Sequence, residues 1–173
     1  MSGWKIRFAI AVTMASAALA MPLAGSHGAD AQLDRGKYLV EIGGCFDCHT
    51  RGYFLGKPDL AYYLAGSDVG FELPGLGVFV GPNLTPDKET GLGNWSLQEI
   101  VTAIRTGTRP DGRILAPIMP WKGFAHLTDA DALAIAAYLK SLPPVVNKVA
   151  GPLGPQEKTT VFVMKVVPPE ADK

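Results

Sequence analysis

One short segment, Cys45-Phe46-Asp47-Cys48-His49, constrains this chain more than any other part of its sequence. The two cysteines are about one helical turn apart, so both thiols can reach the same edge of a flat ligand. His49 follows at once and can be carried over the ligand's face. This Cys-x-x-Cys-His spacing is typical of c-type haem attachment, in which two thioether bonds hold the porphyrin and the histidine ligates its iron. The sequence therefore predicts one covalently attached haem c and a fold that encloses it.

Other uses of Cys45 and Cys48 remain open at this point. They are the chain's only cysteines, so they could form a local disulfide or a thioredoxin-type redox pair. A thioredoxin-type pair belongs to a βαβ setting, and the pattern before Cys45 predicts no strand. A zinc site needs four ligands, and His27 and His126 are not spaced as a second pair.

The second axial ligand is predicted to be Met119. It lies between Pro117 and Pro120, and prolines stiffen a loop because they fix φ. A stiff loop can hold a thioether against iron at a small cost in entropy. The rival methionines are Met21, near the N-terminus, and Met164, whose apolar surroundings predict core packing.

Two further arrangements of the iron are alternatives. In bis-histidine ligation, His126 or His27 would replace the methionine. His126, however, precedes a helix cap and is expected on the surface, and His27 lies in a leader. A haem sensor or haem enzyme would instead have a labile distal ligand.

The N-terminus has the pattern of an export signal. Lys5 and Arg7 precede an uncharged run at residues 8–20, which ends in Ala-Leu-Ala. This combination predicts a signal peptide at residues 1–20, with cleavage there or as late as residue 31, and a periplasmic protein. The run is short for a membrane span, although an uncleaved N-terminus could serve as an anchor.

The remaining pattern predicts an all-α fold of three to five helices with long ordered loops. The chain contains 20 glycines and 14 prolines, which favour turns and loops. Ser96 and Glu99 form a capping-box pattern, and Thr128 is a further cap before a helix that ends at a proline pair. We expect a flexible leader at 21–32, followed by helices at 33–44, 96–107 and 128–142 and a helical turn within 59–64. Loops are expected at 51–86 and 108–124. The tail at 146–173 is proline-rich, and its residues 160–167 are expected to pack as an extended segment.

Charge excludes one class of function. Sixteen basic residues balance sixteen acidic ones, and without residues 1–20 the count is fourteen against sixteen. Such a chain lacks the basic excess typical of nucleic-acid binding.

With these motifs in view, the chain resembles the class I cytochromes c of bacteria. In particular, it is similar to the cytochrome modules of membrane-bound alcohol and sugar dehydrogenases. The resemblance covers a domain at residues 33–145. It rests on the haem segment, Arg35-Gly36-x-Tyr38-Leu39-Val40, Gly81-Pro82-Asn83-Leu84-Thr85-Pro86-Asp87, Gly91-Leu92-Gly93-Asn94-Trp95-Ser96, Asp111-Gly112-Arg113, Pro117-Ile118-Met119-Pro120 and Tyr138-Leu139-Lys140-Ser141-Leu142-Pro143.

The resemblance implies a small cytochrome c fold in which the first and last helices cross near Gly36 and Tyr138. It implies Cys45 and Cys48 as thioether anchors, His49 as proximal ligand and Met119 as distal ligand. Asn83, Trp95 and Arg113 are expected near the haem or its propionates, and the loops around Phe46 and Met119 are expected to border an exposed haem edge. The dehydrogenase subunits usually carry three haem motifs, whereas this chain carries one.

The function expected from these features is one-electron transfer rather than catalysis. The partners would be a dehydrogenase and a terminal oxidase or another cytochrome of a respiratory chain. Membrane association is expected only peripherally or through an uncleaved N-terminus.

Overall fold

The computed structural model describes residues 25–167, with side chains from residue 28 onward. The predicted signal peptide and Met21 lie outside the described residues. The first helix, α1, spans Gly25–Ile42. It begins eight residues before the predicted start, so residues 25–32 are helical where a flexible leader was expected. Ala29 and Ala31 favour helix, and adding turns to an existing helix costs much less than nucleating one.

Helix α1 packs against the last helix, α5, which spans Asp129–Ser141. At their crossing, Gly36 lies directly against the Ala134 carbonyl and the Cβ of Tyr138, with no room for a side chain. Arg35 Nε also donates to Asp131 Oδ1 at 2.8 Å. The crossing implied by the family resemblance is confirmed, and a small residue at 36 is what lets the helices approach.

Helix α3 spans Leu97–Thr106 and begins with the predicted capping box. The Glu99 amide donates to Ser96 Oγ at 3.2 Å, and the Ser96 amide donates to Glu99 Oε2 at 2.7 Å. Its apolar face enters a core that lies between α1, α3 and α5. The buried core residues are Leu39, Val40, Leu64, Leu92, Ile100, Val101, Ala132, Ile135, Ala136 and Leu139.

Short helical elements fill the connections. Helix α2, Cys45–His49, follows α1 after the Gly43-Gly44 turn, and α4, Trp121–Phe124, lies within the predicted loop at 108–124. Two 3-10 turns occur at Tyr53–Leu55 and Leu60–Tyr62. The second confirms the helical turn expected within residues 59–64.

A three-stranded sheet corrects the all-α expectation. Strands β1, Val69–Leu73, and β2, Gly77–Val80, form an antiparallel hairpin, and β3, Phe162–Lys165, pairs in parallel with β1. The fold is therefore mostly helical with a small sheet. The extended segment expected at 160–167 is confirmed by β3, but Met164 is 45 % exposed. The expectation of core packing for Met164 was wrong, because β3 is an edge strand that leaves this side chain accessible.

Across residues 25–167, the helices are all too short or too polar to cross a bilayer.

Candidate functional site

A cavity of about 400 Å³ lies between α2, α3, α5 and the sheet. Its volume is typical of small-molecule and cofactor sites. Helices, strands and loops all contribute apolar side chains to its wall. These are Leu39, Phe71, Phe79, Val80, Leu84, Leu92, Trp95, Ile100, Ala103, Ile104, Leu115, Ile118, Phe124, Ile135, Leu139 and Val149.

Helix α2 presents the predicted attachment residues to this cavity. Cys45, Cys48 and His49 all line it. The left-handed conformation at Gly44, φ 68°, turns the chain from α1 directly into α2, which is a conformation that glycine adopts without strain. The two thiols and the imidazole therefore reach one cavity from a single helical turn.

One hydrogen bond fixes the orientation of His49. Its Nδ1 donates to the Pro82 carbonyl at 2.7 Å, so Nε2 is the nitrogen left for a metal. Burial lowers the pKa of His49, which keeps the imidazole neutral. Gly81 permits this arrangement, because a Cβ there would overlap the carbonyl of Cys48.

Met119 lines the same cavity as the attachment residues. It is half-buried and sits in a tight turn. Its amide donates to the Ala116 carbonyl at 3.0 Å, and its own carbonyl accepts from the Trp121 amide at 2.8 Å. These bonds, together with the flanking prolines, fix the backbone that carries the thioether. The other candidates, Met164 and the exposed His126, are not among the lining residues.

Two arginines give the cavity a cationic rim. Arg113 and Arg109 both line it, and Arg109 lies over the Trp95 ring at 5.0 Å from the centroid. A turn brings the pair together, since the Arg109 amide donates to the Arg113 carbonyl at 3.0 Å. Trp95 and Arg113 are thus at the cavity as expected. Arg109 was missed, although its position four residues before Arg113 across an Asp-Gly turn was a usable signal.

Asn83 has a different role from the one expected. It does not line the cavity and is 2 % exposed. Its Nδ2 donates to Thr90 Oγ1 at 3.0 Å and to the Val145 carbonyl at 2.7 Å, and its Oδ1 accepts from Thr85. The amide is therefore fully used in holding loops together.

Phe46 also departs from its expected place. Its ring packs against Tyr53 and Tyr63, with centroid distances of 5.4 and 5.5 Å. It contacts the apolar core rather than lining the cavity. Its neighbours Cys45 and Asp47 line the cavity, so the segment around Phe46 reaches the cavity although the Phe46 ring itself does not.

The structure does not support the alternative uses of the cysteines. Both thiols are free. Burial raises the pKa of Cys45 to about 11 and also raises the pKa of Cys48, whereas a redox-active thiol pair needs a lowered pKa. A helix rather than a strand precedes Cys45. Among the residues that the structure describes, no three His, Cys, Asp or Glu side chains form a metal-binding group.

The cavity's donor set fits a covalently attached haem. Two thiols line the cavity from one helical turn, a neutral imidazole has one nitrogen unused, and a thioether is available on a stiff loop. The Arg113 guanidinium can pair with a carboxylate, and Arg109, which contacts Asp111 at 3.4 Å, adds positive charge beside it. The apolar wall suits a porphyrin ring.

Comparisons with known proteins agree with this geometry. The family model described as Cytochrome c matches residues 33–143. The chain is 32 % identical, over 87 % of its length, to the cytochrome c subunit of a quinone alcohol dehydrogenase of Gluconobacter oxydans. It is 35 % identical over 72 % of its length to the gluconate 2-dehydrogenase cytochrome c subunit of Pantoea cypripedii. It is 35 % identical over 62 % of its length to the fructose dehydrogenase cytochrome subunit of Gluconobacter japonicus.

These relatives are much longer than the chain. It covers 29 %, 26 % and 20 % of their respective lengths. The similarity therefore concerns one module of each relative.

Proposed function

Because the chain belongs to the cytochrome c family, we propose that it is an exported one-electron carrier with a single haem c. Cys45 and Cys48 hold the haem, and His49 and Met119 ligate its iron. One observation carries the proposal: the Cys-x-x-Cys-His segment and the proline-flanked Met119 line the same apolar cavity. Export rests on the signal pattern at residues 1–20.

When bound, the haem supplies a reversible Fe(III)/Fe(II) couple. The chain's own residues prepare the site for it. His49 keeps its proton on Nδ1, donated to Pro82, so that the Nε2 lone pair is available without a change of protonation. The stiff Met119 turn restricts movement of the thioether, and a closed coordination shell changes little in geometry on electron transfer. Arg109 and Arg113 offer positive charge for the two propionates.

The proposed electron donor is a dehydrogenase, and the acceptor a terminal oxidase or another cytochrome. Similarity to the cytochrome subunits of dehydrogenases supports the donor. Ile114 and Ile118 are exposed, and each lines a cavity that Met119 also lines. They offer a contact surface near the proposed distal ligand. Alanine substitution there should slow electron transfer to at least one partner.

Two measurements on the exported protein test the haem. A haem stain that survives a denaturing gel is expected for the parent chain and lost when Cys45 and Cys48 are both replaced by Ser. A reduced-state spectrum should be unchanged by carbon monoxide at neutral pH, since His49 and Met119 would both hold the iron. Rapid carbon monoxide binding would instead favour a sensor or enzyme, and a colourless protein would refute the proposal.

Substitution of the distal ligand gives the sharpest prediction. Met119→Ala should leave a haem-containing protein whose reduction potential is much lower, because the thioether stabilises Fe(II). Spectroelectrochemical titration measures the change. Met164→Ala is the control, since Met164 is exposed and does not line the cavity. An unchanged potential in Met119→Ala would assign the distal ligand to another residue.

A further inference from the structure

Residues 145–154, called the strap here, lie beyond the end of the family match at residue 143. The strap leaves α5 through Pro143-Pro144 and runs back across the molecule. Several hydrogen bonds anchor its first half. Among them, Val145 N donates to Thr85 Oγ1 at 3.1 Å, Asn83 Nδ2 to the Val145 carbonyl at 2.7 Å, Asn147 N to Thr90 Oγ1 at 3.0 Å, and Asn147 Nδ2 to the Ala65 carbonyl at 2.8 Å.

The second half of the strap is anchored to the sheet. The amides and carbonyls of Leu153 and Val78 exchange two hydrogen bonds, both of 2.9 Å. Gly77 lies directly against the Leu153 carbonyl, where a Cβ would not fit. Both ends of the strap are therefore fixed by polar contacts to the folded domain.

Between these anchors, the strap forms part of the cavity wall. Val149, Ala150, Gly151 and Pro152 all line the cavity that also contains the attachment residues. Val149 packs so closely on Gly66 that a Cβ there would overlap it. The Gly66 amide in turn donates to the His49 carbonyl at 2.8 Å. The strap thus lies beside the segment that carries the proximal ligand.

We propose that the strap is a second, non-covalent part of the haem site that raises the haem's reduction potential by excluding water from its His49 side. The proposal rests on the proposed function. Oxidation adds one positive charge to the haem, and an apolar surrounding disfavours the more highly charged form. None of the four wall residues carries a charge or a polar side chain, so their effect is to remove solvent.

Charge substitutions at Ala150 test this placement. Ala150→Asp should lower the potential and Ala150→Lys should raise it, because each introduces its charge at the wall of the site. As a control, the same charges are introduced at Val146, which is 72 % exposed and does not line the cavity. Val146→Asp and Val146→Lys should shift the potential much less. A change in packing alone would not give shifts of opposite sign at Ala150.

Two truncations separate the strap from the strand that follows it. A chain that ends at Glu157 retains the strap and the bond from the Gly154 amide to Glu157 Oε2 but lacks β3, and should keep the parent potential. A chain that ends at Val145 should have a lower potential. If this shorter chain fails to fold, the reduction potentials of Ala150→Asp and Ala150→Lys decide whether the strap is part of the haem site.

The outcomes distinguish the two proposals. If the protein carries haem but Ala150 and Val146 variants behave alike, the strap is not part of the haem environment and this inference is wrong. If the parent protein carries no haem, the proposed function itself fails.

Discussion

At the scale of single residues, Lys140 shows how a charged side chain can hold a cavity wall in place. Its Nζ donates to the carbonyls of Leu92, Gly93 and Trp95, at 3.1, 2.8 and 3.0 Å. Leu92 and Trp95 line the cavity. The ammonium therefore satisfies three carbonyls of an irregular loop and ties that loop to α5.

Lys140→Met should lower the free energy of unfolding of the haem-loaded protein by about 2 kcal/mol, since hydrogen bonds to a charged group are lost and the carbonyls remain. Urea unfolding measures the difference. The control is Lys37→Met, at an exposed position of α1. Equal effects of the two substitutions would mean that the three contacts contribute nothing.

The residues of the attachment motif and Met119 were the part of the site that the sequence could predict best. Cys45, Cys48 and His49 are contiguous, so their shared cavity follows from local geometry, and Met119 carries its own signal in two prolines. Asn83 was misassigned because an amide in a family motif looks the same whether it serves a ligand or a loop. Its partner at Val145 lies 62 residues away, and no local pattern reveals such a contact.

At the scale of elements, α3 and α4 meet through a close contact that only glycine allows. Gly107 ends α3 with φ 73°. A Cβ at this position would lie 2.7 to 2.9 Å from atoms of the Trp121 ring. Trp121 begins α4 immediately after the Met119 turn, so displacement of its ring would disturb the loop that carries the thioether.

A matched pair of substitutions separates this contact from backbone strain. Gly112 has a similar φ of 80° but open space around it, so Gly112→Ala should cost about 1 kcal/mol through strain alone. Gly107→Ala should cost more stability. If Met119 ligates the iron as proposed, this variant should also have a lower reduction potential or a changed spectrum of the oxidised protein. If both variants lose the same stability and keep the parent spectrum, the contact with Trp121 has no role in the site.

The elements also show why some structure escaped prediction. The capping signals at Ser96 and Thr128 act within one helical turn, and both helices begin where those signals place them. Strands β1 and β2 did have a local signal that was missed, because Pro74 and Gly75 are turn residues between two short apolar runs. The pairing of β1 with β3 has none, since it joins Val69 to Phe162 across more than ninety residues.

At the scale of the whole molecule, one polar network connects the loop before α3 to the strap. Asp87 Oδ1 accepts from the amide of Thr90 at 2.7 Å and from its hydroxyl at 2.6 Å. With its proton directed at Asp87, Thr90 Oγ1 can accept from Asn83 and from the Asn147 amide, both at 3.0 Å. The carboxylate therefore sets the direction of bonds that anchor the strap.

This network predicts a dependence on pH. The hydrogen bonds from Thr90, chiefly from its hydroxyl, hold the pKa of Asp87 below its usual range. A carboxyl with a lowered pKa contributes stability above its unfolded value of about 3.9, and that contribution is lost as the pH falls through the lower folded value. Asp87→Asn should therefore be less stable than the parent protein at neutral pH, and the difference should shrink in acid.

Urea unfolding midpoints measure this difference, taken for the haem-loaded parent and variant from pH 7 down to pH 3. Acid also affects the iron ligands, but both proteins share them, so this effect cancels in the difference. Asp34→Asn, at an exposed site on α1, controls for the loss of one surface carboxylate. Since Asp87 acts through Thr90 on Asn147, its substitution should also make the strap more accessible to trypsin at the exposed Lys148. If the variant is less stable but is cleaved at the parent rate, Asp87 stabilises only its own loop, and the network does not hold the strap.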